Sequence, residues 1–191
     1  MWAALALVIH VTLRFDPSIR SKIVRTTVGA EADAIWRGYG VELDWTSGSH
    51  ANLCLAASID RSSNSGEPGT PSVLGSTSVS NRLDDDPAPI RIGFDALDAF
   101  VEPTTFSNAV LHEYAVGTAI GRVLAHEIGH ILLGAPSYHD QTGLMRRSFL
   151  PSDFTQAARW RFRLDERSVP RLQERLASFA HVPIAPGCPQ D

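Results

Sequence analysis

Cysteine is scarce in this chain. Cys54 and Cys188 are the only two in 191 residues, too few and too far apart for a metal knuckle or a disulfide framework, so they fix neither redox compartment nor fold. One bond between them, pinning the tail, is the most they allow. Positive charge is short too: the formal net charge is −4, which argues against a nucleic-acid partner. The stretch from Arg146 to Arg175 departs from that balance with eight arginines against four acids, and a solvated Arg-rich helical face accounts for it. There is no G-x-S-x-G elbow, phosphate loop or dinucleotide fingerprint, and no serine or cysteine stands in a context that suggests a nucleophile. Long apolar runs are missing as well. The opening "MWAALALVIHVTLRF" is too short to span a membrane and has neither a charged leading region nor a small-residue cleavage site. No membrane partner is expected, any export signal would lie upstream, and localisation stays open.

What is present, 43% hydrophobic and 20% charged residues, is the composition of one globular domain with a core of its own. Leu7, Ile9, Val11, Leu13 and Phe15 alternate with His10, Thr12 and Arg14, the period of a half-buried first strand. Asp16-Pro17 then predicts a helix start, and "RGYG" at 37–40 its end. Strands are expected at Val41–Trp45 and Asn52–Ile59. Two Ser/Gly/Pro/Asp-rich loops follow, flanking a short strand around "SVLGSTSV", and a further strand ends at Phe94. From about Ser107 to Leu133 the chain reads as one long buried helix, stopped by Gly134 and Pro136. "PSDFTQAARWRF" and "DERSVPRLQERLASFA" predict C-terminal helices, the second opened by Asp165, before a loose tail.

The long helix holds "HEIGH". His126 and His130 are four residues apart, so their imidazoles stand on one face and can reach one ion, while Glu127 can hold a water bound to it. Zinc would lower the pKa of that water and polarise a carbonyl, with Glu127 moving the proton. The bland alternative is a chance pattern on an exposed helix. Two histidines and a glutamate inside an apolar helix argue against it, because burying them without a partner is costly. His112-Glu113 also reads "HE", but Val116 stands where a second histidine would be needed. A catalytic zinc takes three protein ligands, and His139, just after the break at Gly134, is the leading candidate for the third. Met145 is either a turn beneath the site or a flexible filler of the core.

The run "HEIGHILLGAPSYHDQTGLM" resembles the metzincin clan of zinc metallopeptidases. The resemblance implies an α+β, metzincin-like zincin fold: a twisted mixed β-sheet with a long active-site helix and a small, mainly helical C-terminal subdomain. The upper part would span about 1–134 and the lower about 135–191 of a single metallopeptidase domain, and an antiparallel edge strand near Val73–Ser80 would pair with an extended substrate. It further implies a Zn2+ cofactor on His126, His130 and His139, Glu127 as catalytic base, and peptide or protein substrates cut by endopeptidase action. The chain departs from HExxHxxGxxH, with its glycine one position late and His139 three positions late. Asp140, or Asp165 or Glu166 in a gluzincin-like or repressor-cleaving arrangement, therefore stands as an alternative third ligand. A zinc-binding protein on the same fold that turns nothing over is a further alternative. His10, His50 and His181 read as ordinary surface or core histidines, and Arg122 as a salt-bridge partner. Arg146 and Arg147, following Met145, are expected to shape the cleft.

Overall fold

The computed structural model describes residues 7–46, 51–61, 74–77, 89–101, 108–135, 137–156, 158–179 and 188. Five strands, β1 (Leu7–Phe15), β2 (Val41–Asp44), β3 (Leu53–Asp60), β4 (Gly75–Ser76) and β5 (Ile90–Gly93), form one mixed sheet in the order β2-β1-β3-β5-β4. All pairs are parallel except β4 with β5, which is antiparallel and lies at the edge. Alternation in β1 buries Ile9 and Val11, and Leu55, Ala57, Ile59, Ile90 and Ile92 continue the same apolar layer across the sheet. β2 pairs only with Leu7 to His10, and β3 begins opposite Ile9. β2 therefore ends, and β3 begins, at nearly the same level of β1.

Two helices pack together beside this layer, α1 (Lys22–Trp36) and α3 (Ala109–Leu133), and the short α2 (Phe94–Phe100) leads out of β5. α1 starts later than Asp16-Pro17 suggests. The Asp16 carboxylate accepts bonds from the Ser18 N–H and hydroxyl, closing a turn, and Ser21 caps the helix by accepting from Val24 N. α3 follows its sequence signals closely: Asn108 accepts from Leu111 N at its start, and Gly134, at φ 62, ends it. The approach of α1 to α3 depends on two glycines. A Cβ at Gly117 would lie 2.8 Å from Thr27 Cβ, and one at Gly121 2.7 Å from the Val28 carbonyl oxygen.

Beyond Gly134 the expected helix over 151–162 is broken into α4 (Pro151–Thr155) and a 3₁₀ turn at Arg159–Phe162. The reason is Arg122, whose Nη1 donates to the carbonyls of Asp153, Phe154 and Gln156 and so takes acceptors that a continuous helix would need. α5 (Ser168–Phe179) closes the described fold. Asp165 lies ahead of it, and its carbonyl accepts from Ser168 N. Of the tail only Cys188 is described, and it is bonded to Cys54 of β3. His50, His181 and half of the Val73–Ser80 stretch fall outside the described residues. Among the described residues, no helix is long and apolar enough to cross a membrane.

On helix propensity alone Gly121→Ala would gain about 1 kcal/mol. Because the new methyl meets the Val28 carbonyl, we expect instead a net loss of about 1–3 kcal/mol in urea unfolding; a gain would show that α1 yields freely. Removing the disulfide by Cys54→Ser with Cys188→Ser should cost about 2–5 kcal/mol, since it closes a loop of sequence separation 134. An unchanged urea midpoint would rule that anchoring role out.

Candidate metal centre

α3 presents His126 and His130 from adjacent turns, at 8% and 4% exposure, and the irregular chain after Gly134 brings the exposed His139 against them. The three imidazoles approach until their ligand nitrogens all lie within 4.8 Å of one another. Among the described residues no other group of histidines, cysteines or acids comes together in this way.

Hydrogen bonding fixes the state of the two helical rings. His126 Nδ1 is 2.7 Å from the Leu144 carbonyl oxygen, and His130 Nδ1 is 3.1 Å from that of Ala135. A carbonyl only accepts, so each Nδ1 carries the proton and each Nε2 of a neutral ring is a bare lone pair. The two Nε2 atoms face each other at 3.0 Å. Lone pairs so placed repel unless a cation or a proton lies between them. Protonation is disfavoured: burial above all holds His126 down at about 4, against the Leu144 carbonyl and with His130 and His139 adding to it, and burial lowers His130 as well. With the His139 ring beside them, three imidazoles make a donor set that suits a zinc ion.

Glu127, at 5% exposure, stands beside the triad, and burial pushes its carboxyl up to about 7. The edge strand passes directly against it. A Cβ at Gly75 of β4 would lie 3.0 Å from Glu127 Oε1 and 2.6 Å from Val123 Cγ1, so the backbone of β4 can run this close only because residue 75 has no side chain. Below the helix lies Met145, fully buried, with its sulfur in the space that a side chain at Gly129 would occupy. Trp36 supports the same turn by donating from Nε1 to the Ala125 carbonyl at 3.1 Å. Phe149 stands edge-on to His126 with ring centroids 5.7 Å apart.

Of the residues singled out from sequence, His126, His130 and His139 are thus brought together, Glu127 follows His126 on α3, Met145 packs against Gly129 of that helix, and among the described residues none of the acidic alternatives joins the group. The Asp140 carboxylate takes hydroxyls from Tyr138 and Ser168, Asp165 accepts from Thr142 and from Arg167 N, and Glu166 is exposed. Arg122 pairs with Glu31, and Arg146 pairs with Asp153 and covers the Phe149 ring at 4.5 Å, so its guanidinium supports the wall of the site. Arg147 is exposed. His10 is a core histidine between Thr12 and Asp44, and His112 lies near Asp98. Gly129 and Phe149 escape the sequence analysis, and Gly75 lies in the edge strand expected there without being singled out.

No known protein family and no curated protein matches this sequence. Among solved structures, an archaemetzincin from Methanopyrus kandleri shares the fold, with a TM-score of 0.53 over 92% of this chain and 98% of that one, at 13% sequence identity. At that identity the likeness is one of fold.

The Glu127 carboxyl titrates at about 7 when folded against 4.5 for the free group. An unfolded chain therefore releases that proton first, and the metal-free protein loses stability as pH rises from 4.5 to 7. Glu127→Gln removes this cost, so in the presence of a chelator at pH above 7 the variant should be more stable by on the order of 1–3 kcal/mol in urea unfolding. A less stable variant would show that the carboxylate has a partner in the metal-free fold.

Proposed function

We propose that this chain is a zinc-dependent peptidase of metzincin type. His126, His130 and His139 are the metal ligands, Glu127 is the general base and acid, and peptide or protein chains are the substrates, cut internally. The observation that carries this reading is the pair of facing Nε2 atoms, 3.0 Å apart with both Nδ1 atoms committed to carbonyls, together with a third imidazole within 4.8 Å. The shared fold with an archaemetzincin supports it. What favours His139 over an acid is that its ring joins those of His126 and His130 within 4.8 Å, while among the described residues no acid joins that group.

Bound there, zinc would polarise the scissile carbonyl and acidify a water at neutral pH. Glu127 takes the proton of the attacking water on its carboxylate and delivers it to the leaving amine. Burial raises the Glu127 carboxyl in the metal-free fold, and a bound cation would draw it back toward the carboxylate that the first transfer needs. β4 is the outermost of the described strands, and we infer that an extended peptide adds to its outer edge by main-chain hydrogen bonds. Gly75 brings that line of backbone against Glu127. Met145 is the turn beneath the metal, and the cleft divides the domain at about Gly134 into an upper and a lower part.

Elemental mass spectrometry of the purified protein should find one zinc per chain, lost or strongly weakened in His139→Ala. Full zinc in that variant would transfer the third position to an acid. Glu127→Ala should keep its zinc while hydrolysis of a peptide library falls by about 10²–10⁴-fold; normal turnover would overturn the mechanism. Absence of any cleavage by the zinc-loaded wild type would leave a binding protein on this fold.

A further inference from the structure

His126 and His130 are held by a helix and by carbonyls, but His139 is exposed and lies in irregular chain between Gly134 and Gly143, where no regular element fixes its ring. Its neighbours on both sides are nevertheless tied down. Ser168 Oγ donates to Asp140 Oδ2 at 2.6 Å, Tyr138 OH donates to Asp140 Oδ1 at 2.7 Å, and the two hydroxyl oxygens are 3.1 Å apart. Ser168, in the first turn of α5, has no exposed surface at all. The Tyr138 ring is covered by the Arg171 guanidinium at 5.2 Å, and Arg171 Nε donates back to the Leu133 carbonyl at the end of α3. On the other side Asp140 N donates to the Met145 carbonyl at 2.9 Å.

We propose that Ser168, with Tyr138 and Asp140, is a positioning clamp for the third metal ligand. The proposal rests on the three-histidine centre argued above. The residues before and after His139 are fastened to one buried hydroxyl and to the Met145 turn, so the backbone that aims the imidazole has little freedom left. An ion binding there then need not order that segment itself, and the long interval from His130 to His139 costs little affinity. Asp140 acts in this clamp as an acceptor for two hydroxyls.

The test is the zinc affinity of the whole chain, measured by competition with a chromophoric chelator in Ser168→Ala, Tyr138→Phe, His139→Ala and Ser168→Ala with His139→Ala. Supporting-residue substitutions at metal sites typically weaken binding by about 10–100-fold, and that loss is expected for Ser168→Ala and Tyr138→Phe. If the clamp acts through His139, the double variant binds no more weakly than His139→Ala alone, a non-additivity that a merely structural role would not produce. Tyr138→Phe keeps the ring against Arg171 and carries the test should Ser168→Ala fail to fold. Wild-type affinity in the foldable clamp variants, or losses that add to that of His139→Ala, overturns the clamp and leaves the centre standing. An unsubstituted chain that binds no zinc fails at the first measurement and takes the centre with it.

Discussion

One buried guanidinium joins the parts of this structure that must stay in register. Arg122, at 1% exposure, donates from Nε to Glu31 of α1 and from Nη1 to three carbonyls of the 153–156 segment, while its face covers the Phe162 ring at 4.6 Å. Burial draws its pKa down, and Glu31 works against that by charge and hydrogen bond. Glu31 is itself buried and takes Arg159 on its other oxygen. A pair so deep adds little net stability over an apolar substitute, yet it tolerates almost no alternative geometry, because a displaced charge would be left without a partner. It ties α1, α3 and the chain beyond Gly134 together one turn before His126. A second node lies close by: Asp153, whose carboxylate takes Arg146 and Arg161. Burial alone would raise its pKa; the Leu150 N–H and the two arginines outweigh that and lower it.

α3 has to satisfy two demands that usually exclude each other. It is buried over most of its length, and it carries two imidazoles and a carboxylate on one turn. The Nδ1 atoms bond carbonyls of residues that follow the helix, the two Nε2 lone pairs are left facing each other, and burial raises the pKa of the carboxyl. The chain that leaves the helix thereby returns to orient its histidines, and this return depends on Gly134 at φ 62, where an L side chain would be strained.

Much of this was legible in the sequence wherever the information is local. β1 and α3 followed from their periods and caps, and the spacing of His126 and His130 on a helix fixes their common face. Elements whose ends are set by distant partners were not legible. α1 starts at Lys22 because the Asp16 carboxylate is taken by Ser18, and α4 stops at Thr155 because Arg122 takes its carbonyls. The seven-residue α2 was too short to show a period. Within the site, Gly75 and Gly129 matter for what approaches them, β4 against Glu127 and Met145 against the helix, and a contact across the fold leaves no trace in a local pattern. Ser168 lies 28 residues from Asp140, which hides it for the same reason.

The bond between Cys54 and Cys188 makes a covalent ring out of most of the chain. His126, Glu127, His130, His139 and Met145 all lie inside that ring, as do α3, α4 and α5. A single backbone cut anywhere between the two cysteines opens the ring without releasing a fragment. The two new ends would stay attached through the sulfur bridge, and the nick would leave the mass on a non-reducing gel unchanged until reductant is added.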